Sequence, residues 1–127
     1  MGLEEKLSEK NSPFRSKCER IIAGIFSKYQ IKFEYEKTQV ILGKNCKIIE
    51  FHPDFYLPKH RIYLEYFGKY KDETEEHYWK RVRSKEEIYR RNGIRVASIY
   101  YSEMWPSGKK GVLRKNFEQF LMYKIFN

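Results

Sequence analysis

The sequence predicts a single α/β domain of three layers, with helices on both faces of a mixed central sheet, in the order αβββαβ plus one C-terminal helix. Three observations carry this. Apolar residues recur at helical spacing through 14–29 and give way to strict alternation over 31–37. Between Pro53 and Gly68, two apolar and aromatic runs flank Pro58-Lys59-His60, which reads as a hairpin. Residues 72–92 then carry a helical stripe that leads into the mostly apolar segment Ile94 to Tyr101, the pattern of a crossover to a buried parallel strand.

Taken in order, residues 1–11 are charged and without a sustained apolar period, so they are expected to form a flexible arm before a domain spanning 12–127. Ser12-Pro13 supplies an N-cap and a proline at the first helical position. Phe14, Cys18, Ile21, Ile22, Ile25, Phe26 and Tyr29 form one face of the helix that follows. In 31–37, Ile31, Phe33 and Tyr35 alternate with Lys32, Glu34 and Glu36, a half-buried strand. Gly43-Lys44-Asn45 turns the chain into a strand from Lys47 to Tyr56, on which Glu50, His52 and Asp54 share a face. A lone histidine there reads more readily as a hydrogen-bonded bystander than as a proton shuttle.

After the hairpin, a helix begins near Asp72 and is closed by Asn92-Gly93. Its inward stripe contains Thr74, Tyr78, Arg81, Val82, Lys85, Ile88, Tyr89 and Asn92. Glu103 to Gly108 is a loop, and a final helix uses Val112, Leu113, Phe117, Phe120, Leu121 and Ile125 as its core side. Lys109, Lys110, Arg114 and Lys115 form a basic entry to that helix, suited to phosphate contact.

The chain has 26 Lys and Arg against 17 Asp and Glu, a net charge of +9, which favours a polyanionic partner such as nucleic acid. No run is long and apolar enough to span a membrane, and no secretory leader is evident, so a cytoplasmic protein is expected. Cys18 and Cys46 form no CxxC pair and read as reduced structural thiols, with no small-molecule cofactor implied. Aromatics are abundant, and Trp105 in the loop is a candidate to stack on a base or wedge a step, with packing beneath the loop as the ordinary alternative.

The acids of the hairpin are the chemically informative residues. Pairing about Lys59 brings Asp54 and Glu65 close across the strands on one face. Two carboxylates in an apolar sheet repel and lose hydration unless a cation or proton joins them, and Mg²⁺ suits such a pair. Taken singly, Asp54 has an ordinary reading as a turn residue and Glu65 as a solvated strand position. Lys85 sits at the centre of its helix's inward stripe, where an ammonium requires an acid or must snorkel to solvent. Glu19 lies at the margin of the first helix's apolar face, where it is either a rim carboxylate paired with Arg15 or Arg20 or part of the site.

Pro53-Asp54, a short hairpin and a carboxylate on the returning strand resemble the PD-(D/E)XK nuclease superfamily, and the segment SKCERIIAGIFSKYQIKFEYE resembles its leading helix and first strand. That pattern has lysine two residues after the second acid, where this chain has Phe67. The segment Glu65-Tyr66-Phe67-Gly68 followed by a helix resembles those relatives in which the lysine has moved to that helix, which makes Lys85 its counterpart. The resemblance implies a restriction-endonuclease-like fold. It also implies a Mg²⁺-dependent endodeoxyribonuclease, with Mn²⁺ able to substitute, leaving 5′-phosphate and 3′-hydroxyl ends. Asp54, Glu65 and the backbone carbonyl of Tyr66 would hold the metal, Glu19 would complete or adjust the site, and Lys85 would serve the water or the phosphorus. Arg81 joins the basic residues as a DNA contact, and a homodimer is expected for cutting both strands. A homing or restriction-like enzyme, a branched-DNA resolvase and an inactive nucleic-acid-binding module are the readings left open.

Overall fold

A computed structural model describes residues 16–42, 44–108 and 111–127. The expected arm, the Ser12-Pro13 helix start, Gly43, Lys109 and Lys110 lie outside the described residues. The described elements are α1 (Lys17–Lys28), β1 (Glu34–Tyr35), β2 (Gln39–Leu42), β3 (Ile48–Phe51), β4 (Phe55–Leu57), β5 (Ile62–Phe67), α2 (Glu75–Arg91), β6 (Val96–Tyr100), α3 (Tyr101–Met104) and α4 (Phe117–Phe126).

β1, β4, β5 and β6 form a mixed sheet in that spatial order. β4 and β5 are antiparallel, with Phe55 opposite Leu64 and Leu57 opposite Ile62, so the hairpin turns at the expected place. β5 and β6 are parallel through the α2 crossover, with Glu65 beside Ser98. On one face, Phe55, Leu57, Ile62, Leu64, Ala97 and Ile99 pack against Ile22 and Phe26 of α1 and Leu121 and Ile125 of α4. Phe67 belongs to a second cluster on the other side, with Tyr78, Val82 and Tyr89 of α2 and with Ile41 and Phe51. The architecture is a small mixed α/β domain with apolar clusters on both sides of its sheet. Among the described residues no helix is long and apolar enough to cross a membrane.

Several boundaries differ from the sequence expectation, each for a local reason. β1 is only Glu34–Tyr35, because Glu36 takes a left-handed backbone (φ 53°) that ends the strand. The strand expected over Lys47–Tyr56 is two strands. Pro53 lacks an N–H for the ladder, so β3 pairs with β2 in a separate ribbon and only β4 enters the main sheet. His52 therefore stays with the ribbon, 3.1 Å from Thr38 Oγ1. Tyr101 leaves β6 and opens the short α3 inside the expected strand and loop. The last helix starts at Phe117, after Asn116 in a left-handed conformation, leaving Val112 and Leu113 exposed rather than in the core.

Candidate active site

Each residue of the site is held by an element whose ends are well specified. At the start of α1, Ser16 Oγ accepts the Glu19 amide at 3.1 Å, which places Glu19 in the helix's first turn, where a carboxylate is favoured. Glu19 is not a rim residue. It is 7 % exposed, and its Oε1 accepts the Tyr35 hydroxyl of β1 at 2.6 Å. Asp54 immediately precedes β4, and one further step of the β4–β5 register sets it opposite Glu65. Its backbone carbonyl accepts the Glu36 amide at 3.0 Å, and its Oδ2 accepts the Tyr66 amide at 2.7 Å. Both ends of Asp54 are thus pinned, one by Glu36 just after β1 and the other by Tyr66 of β5.

Glu65 projects from β5 toward α2 and is 4 % exposed. Its Oε1 accepts the Tyr89 hydroxyl at 2.6 Å, and its Oε2 contacts Lys85 Nζ. The Lys85 ammonium also lies 5.8 Å from the Phe67 ring centroid and 5.9 Å from that of Tyr89. Its side chain remains 45 % exposed, so the ammonium sits at the mouth of the site rather than beneath it. α2 can deliver both partners because Thr74 caps its start by accepting the His77 amide and Asn92-Gly93 closes it, with Gly93 at φ 66°. Tyr78 locks the helix to the sheet by donating to the Phe67 carbonyl at 2.7 Å and accepting the Tyr101 amide at 3.2 Å.

Burial pushes the Asp54 carboxyl up to about 8, and the charges of Glu65 and Glu19 push in the same direction. The Tyr66 amide and Lys85 oppose that rise without cancelling it. Among the described residues, the ammonium that meets these carboxylates is that of Lys85, on Glu65, and near neutral pH Asp54 retains a proton. A hard divalent cation fits this donor set, which offers only oxygens of the kind Mg²⁺ prefers. Among the described residues no three His, Cys, Asp or Glu side chains are grouped to hold one ion. Mg²⁺ characteristically binds through one or two carboxylates and keeps several waters, so an Asp54 and Glu65 pair suffices for the kind of site it uses.

The residues expected to contact nucleic acid are dispersed. Arg81 donates to Glu73 from Nε at 2.9 Å and to the Gly68 carbonyl from Nη2 at 2.7 Å, and its guanidinium lies 4.0 Å from the Tyr70 ring centroid. It braces the loop between β5 and α2. Of the two readings of Trp105, stacking on a base or packing beneath the loop, the structure has the second: it is a core residue at 3 % exposure whose Nε1 donates to the Tyr66 hydroxyl at 3.2 Å, which leaves it unsuited to a base contact. Arg114 packs over Phe120 at 4.2 Å, and it and the exposed Lys115 precede α4 instead of lying within it.

The Arg81 brace has a testable consequence. Paired with Arg81, the Glu73 carboxyl is held down to about 2. Its contribution to stability is present above the ordinary carboxylate range and is lost as pH falls through the folded value. Arg81→Ala is expected to lower the thermal midpoint by about 3–6 °C at pH 7. The drop should be smaller at pH 2.5 than at pH 7, as read by circular dichroism.

Tyr89 and Tyr35, which hold the two buried glutamates, do not stand out in the sequence as site residues. For Tyr89 a signal exists, since it lies one helical turn from Lys85 on the same stripe. For Tyr35 only the strand pairing reveals it. The same holds for Glu86, whose Oε2 accepts Ser98 Oγ at 2.7 Å and the Tyr100 hydroxyl at 2.6 Å. Comparison of the chain with protein-family models, with curated proteins and with solved structures finds no match.

Proposed function

We propose that the protein is a Mg²⁺-dependent endodeoxyribonuclease of the PD-(D/E)XK kind, with a restriction-endonuclease-like fold and its lysine supplied by α2. The observation that carries this reading is the meeting of Lys85 with Glu65 across the β5–α2 interface, with Asp54 opposite Glu65 on the neighbouring strand. An acid pair of which one member is buried and the other partly so, served by a half-exposed ammonium, is costly as pure structure and useful at a phosphodiester. Asp54 and Glu65 would hold the metal, with the Tyr66 carbonyl as a third oxygen, and Mn²⁺ would substitute. When bound, the metal supplies charge neutralisation at the scissile phosphate and activates water at neutral pH. Tyr89 fixes the Glu65 carboxylate, and Tyr35 fixes Glu19, whose negative charge raises the local demand for a cation. Lys85, at the mouth of the site, offsets charge developing on the phosphorus. Cutting both strands takes two such sites, so the protein acts as a homodimer.

The experiment is incubation of supercoiled and branched DNA with the wild type and Asp54→Ala, in Mg²⁺ or in EDTA. Nicking that requires Mg²⁺ and is lost in the variant is expected, and equal nicking by both proteins would refute the assignment. A readout independent of turnover is available. Calorimetric titration with Mg²⁺ in two buffers of different ionisation enthalpy is expected to release about one proton at pH 7, from Asp54. Asp54→Asn should release none.

A further inference from the structure

We infer that the groove on α2 beside Trp79 seats an unstacked nucleobase, so that the preferred substrate has single-stranded character next to the cut. This rests on the nuclease reading and narrows its substrate class. The groove has a volume of about 550 Å³ and is lined by Glu76, Trp79, Lys80, Arg83 and Ser84. Trp79 is half-buried, and its indole makes T-shaped contacts with Tyr78 at 5.0 Å and 86° and with Tyr100 at 5.0 Å and 62°. A ring fixed in this way loses little freedom when a base stacks on it.

The charges around the indole suit a polyanion. Arg83 lies 5.9 Å from the Trp79 ring centroid and has no carboxylate partner among the described residues. Lys80 meets Glu76 at 3.4 Å, but both side chains are highly exposed, and an exposed pair of this kind exchanges a carboxylate for a phosphate at little cost. Aromatic platforms flanked by cations hold single strands without reading sequence, since every base has a π face. In an intact duplex those faces are stacked on their neighbours, so only a flipped, frayed or branched strand can present one. Trp79 and Lys85 are separated by about 9 Å of helix rise and about 120° around α2. A strand whose phosphate lies at Lys85 can reach the groove with a nucleotide about two positions along.

The test is fluorescence titration in EDTA with a short oligothymidylate and with a blunt duplex. The chain has two tryptophans, and Trp105 is buried, so quenching reports Trp79. Quenching by the single strand is expected. Trp79→Leu, which keeps an apolar contact with Tyr78 and Tyr100, should weaken single-strand binding about tenfold and leave duplex binding within about twofold. Arg83→Gln, a surface change, should reduce the slope of log affinity against log salt by about 0.7. An unquenched wild type, or variants that bind the single strand as the wild type does, would overturn the inference. Such a failure would leave the carboxylate and lysine chemistry standing, because the titration contains no metal and reads binding alone. Failure of the nuclease reading would show instead as Asp54→Ala nicking like the wild type.

Discussion

Asp54→Asn is expected to abolish strand cutting and, in the same protein, to stabilise the fold at alkaline pH. The loss of cutting should be on the order of a thousandfold or more, because an amide is a poor ligand for a hard cation and leaves the phosphate charge uncompensated. The gain in stability follows from the direction in which the fold moves the Asp54 carboxyl. It rises from an ordinary value of 3.8 to about 8 in the folded protein, chiefly through burial. Between those values the folded state binds more protons than the unfolded chain, so the wild type loses stability as pH rises from about 4 to about 8. The loss is absent below the unfolded value and complete above the folded one.

The linkage sets a ceiling of about 6 kcal/mol on that loss, because each tenfold gain in proton affinity on folding is worth about 1.4 kcal/mol. Asn keeps an oxygen for the Tyr66 amide but still buries a polar group, so the expected gain is on the order of 1–3 kcal/mol at pH 9. It should shrink to nothing near pH 4. Urea unfolding of both proteins at the two pH values measures this. A difference that does not change with pH would mean that Asp54 ionises as freely in the fold as out of it. A residue whose ionised form weakens the fold and whose removal ends activity is one retained for chemistry.

The parts of the site legible in the sequence are those governed by short-range periodicity. Alternation of side chains, with a turn at Lys59-His60, sets Asp54 across from Glu65. The helical period, bounded by a capping Thr74 and by Asn92-Gly93, turns Lys85 inward toward Glu65. What stays illegible depends on contacts between distant segments. The Tyr35 hydroxyl on Glu19 requires β1 to lie beside β4, and nothing within 31–37 states that pairing. Trp105 looks like a loop aromatic in the sequence and becomes core only because α3 turns it under Tyr66. Pro53 is visible as a residue that cannot donate to a ladder. Its consequence, that β3 leaves the main sheet for a ribbon with β2, follows only once β4 is committed to β5.

Lys85→Met should separate the structural part of the Glu65 contact from the chemical part. Met keeps an unbranched stem of similar length and removes the ammonium that lies near Phe67 and Tyr89. Cutting is expected to fall by about 10²–10³-fold, as for loss of a preorganised charge at a developing anion. DNA affinity in EDTA should change by no more than about twofold. Glu65 would then be a buried carboxylate with Tyr89 as its remaining side-chain donor. Removing one partner of a fully buried pair costs about 3–5 kcal/mol, but Lys85 is nearly half exposed, so a destabilisation of about 1–2 kcal/mol is expected. Adding Glu65→Gln should restore that stability, since a neutral amide needs no ammonium, while cutting stays lost. Lys85→Arg should keep the stability and lose most of the turnover, because a planar fork does not present the compact charge of an ammonium. If Lys85→Met cut DNA at the wild-type rate, the ammonium would belong to the fold alone, and the chemistry would need another cation.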